Sequence, residues 1–143
     1  LAALRGLGLH AATLLVRDPA RAGDTLEAAE RLGVALTVET FDKLGALAQV
    51  DLVVSTLPGG AADAHAGLLA EAPALFDVVY SPWPTRAASA VRAAGGTVVG
   101  GFAMLLHQAV RQVELMTGRA DVPVEAMRAA GEAEILRRAS RTG

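Results

Sequence analysis

Apolar and polar positions along the chain alternate between two periods. Short apolar runs end in a polar or glycine residue, and each is followed by a stretch with helical spacing. His10–Arg17 is an apolar run closed by a charge, the pattern of a buried parallel strand. Asp18-Pro19 then supplies an N-cap residue and a proline at the first helical position, and predicts a helix through Arg21, Leu26, Ala29 and Leu32 to Gly33. Val34–Val38 reads as the next strand, Phe41–Ala48 as a short helix and Asp51–Thr56 as a third strand broken by Leu57-Pro58-Gly59-Gly60. A helix over Ala61–Ala70, a strand over Leu75–Tyr80, a helix over Thr85–Ala94 and a strand at Thr97–Val99 follow. A helix from Gly101 to Thr117-Gly118, and a last one from Val124 to about Arg138, complete the chain. At the start, Leu1–Gly8 reads as the tail of a helix ending at glycine, with no first strand before it.

Strands alternating with helices imply an α/β fold, a doubly wound parallel sheet of the Rossmann-like kind. Here it lacks its first strand and the glycine-rich loop that would follow. Two strands would then stand without their central neighbour. Ligands of such sheets sit at the C-terminal ends of the strands. Arg17-Asp18, Ser55–Pro58, Tyr80 onward and Gly100-Gly101 all fall at those ends. Residues 1–118 read as a partial dinucleotide-binding domain and 119–143 as a C-terminal helix that packs back on a substrate domain outside this sequence.

The 143 residues suffice for one domain, with 52% hydrophobic residues to form a core and only 3% aromatic, so that core is built from Ala, Leu and Val. A net charge of −2 carries no basic footprint for nucleic acid, and no apolar run approaches a membrane span. Without cysteine there is neither a disulfide framework nor a thiol nucleophile. His10, His65 and His107 are scattered, so no metal site is expected. A cytoplasmic location is the default expectation.

The chemistry concentrates in Gly100–Ala109. Two glycines permit a sharp turn and close approach to a ligand, and the helix they open directs its free N–H groups toward that turn. Phe102, Leu106, Ala109, Val113 and Met116 form its apolar stripe, while Met104 and Gln108 share a different face. Two readings fit: a thioether and a carboxamide placed where a cofactor meets a polar substrate, or a core helix with Met104 as filler and Gln108 in solvent. Arg17 stands where the second strand of a dinucleotide fold ends. There an acidic residue holds a ribose 2′-hydroxyl and an arginine accommodates a 2′-phosphate, and Arg21 could complete a clamp; a plain surface arginine is the alternative.

Asp77-x-x-Tyr80-x-Pro82-x-x-Thr85, then Gly100-Gly101-Phe102-Ala103-Met104-Leu105-x-x-Gln108-Ala109, then Met116-Thr117-Gly118, taken in order, resemble the C-terminal half of shikimate dehydrogenase, with weaker agreement back to about residue 12. The family reduces 3-dehydroshikimate to shikimate with NADPH, on the route to aromatic amino acids. The resemblance therefore implies NADP as cofactor in preference to NAD, shikimate or 3-dehydroshikimate as substrate, and no nucleic-acid or membrane partner. Quinate stays open as a substrate, and so does a homodimer. It places Arg17, Asp18, Arg21, Ser55, Thr56, Leu57, Val78, Gly101 and Met104 along the cofactor, and Tyr80 and Gln108 at the substrate. The family's N-R-T-x-x-R/K segment is here Val16-Arg17-Asp18-Pro19-Ala20-Arg21. Asp18 would repel a phosphate if it faced the pocket, and its other role is to cap the helix that Pro19 starts. In N-A-T-x-x-G the asparagine becomes Ser55, and the segment reads equally as an ordinary strand-to-helix loop. Trp83 reads as packing, and Ala103 replaces a residue that is often Gly or Asp.

The family's catalytic Lys/Asp pair belongs to an N-terminal substrate domain. The single lysine here, Lys43, lies in a cofactor-domain connection, so no catalytic residue is expected in this chain, and alone it should be inactive. A noncatalytic dinucleotide-binding or regulatory module is the alternative of a different class.

Overall fold

The computed structural model describes residues 1–142, apart from the side chains of 46–49 and 142; Gly143 of the 119–143 segment lies outside the described residues. The chain forms two compact units, Leu1–Ala46 and Leu47–Gly143.

In the first unit a short helix α1 (Ala2–Gly6) precedes strand β1 (Ala11–Val16). The Asp18 carboxylate accepts from Ala20 N at 3.1 Å and caps a single 3-10 turn over Pro19–Arg21. Helix α2 (Gly23–Leu32) is separate from that turn, so the one helix expected from Pro19 to Leu32 is two pieces joined at the buried Ala22. It stops at Gly33, which is left-handed at φ 64°. Strand β2 (Ala35–Thr40) pairs in parallel with β1, Ala11 opposite Ala35 through Val16 opposite Thr40. The short helix expected over Phe41–Ala48 is a 3-10 helix over Phe41–Gln49. Buried apolar residues here are Ala22, Ala29, Val34 and Leu44. The expectation of a buried β1 is not met: no residue of β1 is fully buried.

The second unit holds β3 (Val53–Ser55), a 3-10 turn and α3 (Ala66–Leu69), β4 (Ala74–Asp77), α4 (Arg86–Ala93), β5 (Thr97–Gly100), α5 (Gly101–Thr117) and α6 (Val124–Thr142). Its core is Ala62, Leu69, Ala72, Leu75, Ala87, Ala88, Val91 and Leu106. Small alanines let α4 lie close on the sheet, and each fully buried Leu or Val contributes about 1.5–3 kcal/mol. Helix α5 ends at left-handed Gly118 as expected. Its apolar stripe is shorter than the sequence suggests, because Met116 is 85% exposed and only Phe102, Leu106, Ala109 and Val113 turn inward. Helix α6 packs on α5 where Gly131 meets the Phe102 ring.

All five strands pair in parallel, as a doubly wound fold requires, in sheets ordered β1-β2 and β3-β4-β5. Among the described residues β1 pairs with β2 and β3 pairs with β4, each at one edge of its own sheet. Among the described residues no helix is long and apolar enough to cross a membrane, and no group of three or more His, Asp or Glu residues could hold a metal ion.

Candidate functional site

Ser55, Asp77 and Gly100 end β3, β4 and β5, and the register sets Ser55 opposite Asp77 and Asp77 opposite Gly100. Three of the segments singled out in the sequence therefore leave the sheet side by side at one edge. Val78 N donates to Ser55 O at 3.0 Å, which carries the ladder one residue further. The strand was expected to reach Tyr80 but ends at Asp77. The reason is a side chain: Asp77 Oδ1 accepts from Val79 N at 3.2 Å and draws the backbone out of the ladder.

Gly101 follows at once. Its N–H donates to Val79 O at 3.1 Å, and a Cβ at Gly101 would lie 1.9 Å from Val78 O. Only a residue without a side chain allows helix α5 to start against the backbone of the neighbouring loop. This N–H is therefore engaged within the protein. The same loop returns over Gly100 through Trp83, whose ring would stand 2.8 Å from a Cβ there, so Trp83 packs as its sequence position suggests. The Ser81–Pro82 and Trp83–Pro84 bonds in this loop are both cis.

Around this edge Val78 is half-buried, and Tyr80 is 41% exposed. Met104 is 42% exposed and Gln108 is exposed; four residues apart on α5, they present a thioether and a carboxamide on one helix face. Met104 is therefore not core filler, while the exposure of Gln108 agrees with either reading. Thr56 is exposed and Leu57 half-buried in the loop after β3. Ser55 is 7% exposed and its Oγ is buried with no hydrogen-bond partner, a cost that a ligand or a further protein segment would relieve. A cleft of about 190 Å³ lies between the Gly59-Gly60 turn and the loop from Val79 to Arg86.

In the first unit Arg17 follows β1 directly and Arg21 closes the 3-10 turn; both are exposed, and among the described residues neither is ion-paired. One Asp18 oxygen is committed to Ala20 N, which supports the capping role. Lys43 is exposed and 3.6 Å from Asp42, whose carboxyl is held below its ordinary value chiefly by the Thr40 hydroxyl, then by its own backbone N–H and last by Lys43. Both side chains of this pair are more than half exposed.

Each unit by itself carries groups that a phosphorylated dinucleotide can use: in the second, the orphaned buried hydroxyl at the end of β3, and in the first, the exposed Arg17 and Arg21 that follow β1. Sequence reasoning assigned no role to Asp77 or Thr85, although both stand in the motif quoted above. The helix expected over Thr85–Ala94 begins instead at Arg86, and Thr85 is its N-cap residue.

Residues 101–130 match the family model described as "Shikimate 5'-dehydrogenase C-terminal domain". The shikimate dehydrogenase (NADP(+)) of Nitrobacter winogradskyi is 35% identical over 114 residues, 76% of this chain and 41% of the relative. Among solved structures, shikimate dehydrogenase of Mycobacterium tuberculosis superposes with a TM-score of 0.82 at 43% identity, over 91% of this chain and 50% of that one. The chain belongs to the shikimate dehydrogenase family, and matches its C-terminal portion. The Thermus thermophilus shikimate 5-dehydrogenase, solved in complex with NADP(H) and shikimate, superposes with a TM-score of 0.70 at 29% identity, over 92% of this chain and 48% of that one. The chain thus spans about half the length of the shikimate dehydrogenases it matches.

Proposed function

We propose that this chain is the cofactor-binding portion of an NADP-dependent shikimate dehydrogenase, which interconverts 3-dehydroshikimate and shikimate in the cytoplasmic route to chorismate and the aromatic amino acids. The observation that carries the reading is the register of Ser55, Asp77 and Gly100. It aligns the chain's distinctive loops at the sheet edge where doubly wound folds bind ligands.

When bound, NADP supplies or accepts a hydride at its nicotinamide ring. The chain's own residues bind and orient. Arg17 and Arg21 meet the 2′-phosphate, with Asp18 holding the turn between them through its cap. Ser55, Thr56 and Leu57 line the cofactor. Val78, Gly101 and Met104 meet the nicotinamide end with apolar contact and close backbone. Tyr80 and Gln108 donate and accept hydrogen bonds to the hydroxyls of the substrate. Proton transfer to the substrate oxygen belongs to a Lys/Asp pair in a substrate domain upstream, since the solvated Lys43 is poorly suited to it. Residues 1–118 are read as the dinucleotide-binding part. Residues 119–143 are read as the helix leading back to that substrate domain, consistent with the exposure of Leu136 on α6.

The test is shikimate-dependent reduction of NADP by the full-length protein that carries this chain, followed by absorbance of the reduced nicotinamide, with quinate and NAD as parallel arms. Turnover is expected with shikimate and NADP and not from residues 1–143 alone. NADP binding by the full-length protein without turnover on either substrate would overturn the reading in favour of a noncatalytic dinucleotide-binding module.

A further inference from the structure

Asp77 is 1% exposed, and both its carboxylate oxygens are used by the loop that follows it. Oδ1 accepts from Val79 N at 3.2 Å, and Oδ2 accepts from Thr85 Oγ1 at 2.8 Å. The Thr85 hydroxyl in turn accepts from Ala88 N at 3.1 Å, which caps helix α4. One buried side chain therefore closes the base of the loop from Val78 to Pro84 and ties it to a helix whose Ala87, Ala88 and Val91 are fully buried. The loop carries Val78 and Tyr80. It presses the Val78 carbonyl on Gly101 and the Trp83 ring on Gly100. A buried carboxylate is expensive unless hydrogen-bonded, so losing the Thr85 hydroxyl strands an oxygen and favours any loop position in which water reaches it.

We propose that Asp77 and Thr85 are positioning residues: their hydrogen bond is a clasp that sets the Tyr80 hydroxyl and the Val78 backbone against substrate and nicotinamide. This rests on the oxidoreductase reading above. Neither residue touches the reactants; they act by fixing the loop that does. A misplacement of about 1 Å at a reacting centre lowers turnover on the order of 100-fold. The 2′-phosphate anchor at Arg17 and Arg21 is outside the clasp, so cofactor affinity is left almost unchanged.

The test compares Thr85→Val, which keeps the side-chain shape without the hydroxyl, with Thr85→Ser, which keeps the hydroxyl, in the full-length protein. Steady-state kinetics and amide hydrogen exchange are both recorded. Thr85→Val is expected to lower kcat and raise KM for shikimate, together on the order of 100-fold in kcat/KM, with KM for NADP unchanged. Thr85→Ser restores both. Exchange over residues 78–84 speeds up in Thr85→Val, and that of α6 does not. Equal impairment of the two variants, or loss of NADP and shikimate affinity in parallel, would mean a structural role only and overturns the clasp. If the wild-type protein turns over neither shikimate nor quinate, the oxidoreductase reading fails by itself, and the exchange comparison decides the clasp: unchanged exchange at 78–84 overturns it.

Discussion

Gly101→Ala tests the closest approach in the structure. The new Cβ would stand 1.9 Å from Val78 O and 2.4 Å from Val78 C, both backbone atoms that no rotamer change can move. An ordinary C···O contact is about 3.3 Å or more, so helix α5 and the loop must separate by roughly 1.4 Å. That shift breaks the hydrogen bond from Gly101 N to Val79 O. Overpacking costs about 1–3 kcal/mol and the lost hydrogen bond about 1, on the order of 2–4 kcal/mol together. This is a large fraction of a domain's stability, and should lower the urea midpoint by about 1 M or more. Gly59→Ala is the matched control, because its Cβ would meet only Val79 Cγ1 at an ordinary 3.9 Å and should change stability by less than about 0.5 kcal/mol. The assay is equilibrium urea unfolding of the two variants and wild type in the full-length protein, with turnover measured alongside. Turnover in Gly101→Ala should fall on the order of 100-fold, since the displaced loop carries Val78 and Tyr80. Equal midpoints and equal turnover for the two alanine variants would refute the argument that Gly101 is required by close approach.

Three further outcomes follow from single side chains. Arg17→Ala should weaken NADP while sparing NAD, because one charge-assisted hydrogen bond of about 1.5–3 kcal/mol corresponds to roughly 10–150-fold in selectivity; an unchanged ratio of the two kcat/KM values would count against the 2′-phosphate role. Ser55→Ala removes a buried hydroxyl that has no partner, so thermal stability without ligand should hold or rise slightly while NADP binds several-fold more weakly by calorimetry. A destabilised variant with unchanged NADP affinity would show that the hydroxyl serves the protein and not the ligand. On α6, hydrogen bonds first from Arg137 and then from Arg138 hold Glu134 down to about 2 from 4.5. A depressed carboxylate stabilises above its unfolded value and loses that contribution as pH falls. Helix stability should therefore decline between 4.5 and about 2, weakly because the pairs are solvent-exposed, and Glu134→Gln should flatten that part of a pH-dependent unfolding profile.

What the sequence determined by itself was local. The order of strands and helices, the cap at Asp18 before Pro19, and the stops at Gly33 and Gly118 depend on groups within about one helical turn of each other, and they stand in the structure where the pattern put them. The resemblance carried by Asp77–Thr85 and Gly100–Gly118 was legible because its residues are contiguous along the chain. Element ends were less so. Strand β4 stops at Asp77 because a side chain captures Val79 N, and the stretch from Pro19 divides at Ala22, where a 3-10 turn ends and α2 begins. Met116 kept the helical period and still lies in solvent, since period marks a face without saying what covers it.

Only the tertiary structure decided that Ser55, Asp77 and Gly100 stand in one row, because register is set by hydrogen bonds between residues about 22 apart that no local rule ties together. It likewise decided that Gly101 is glycine on account of the Val78 carbonyl, and that Asp77 reaches across eight residues to Thr85. Propensity and capping are energies of neighbours in sequence. Close approach, burial and the pairing of a buried carboxylate are energies of neighbours in space, and these assemble the candidate site.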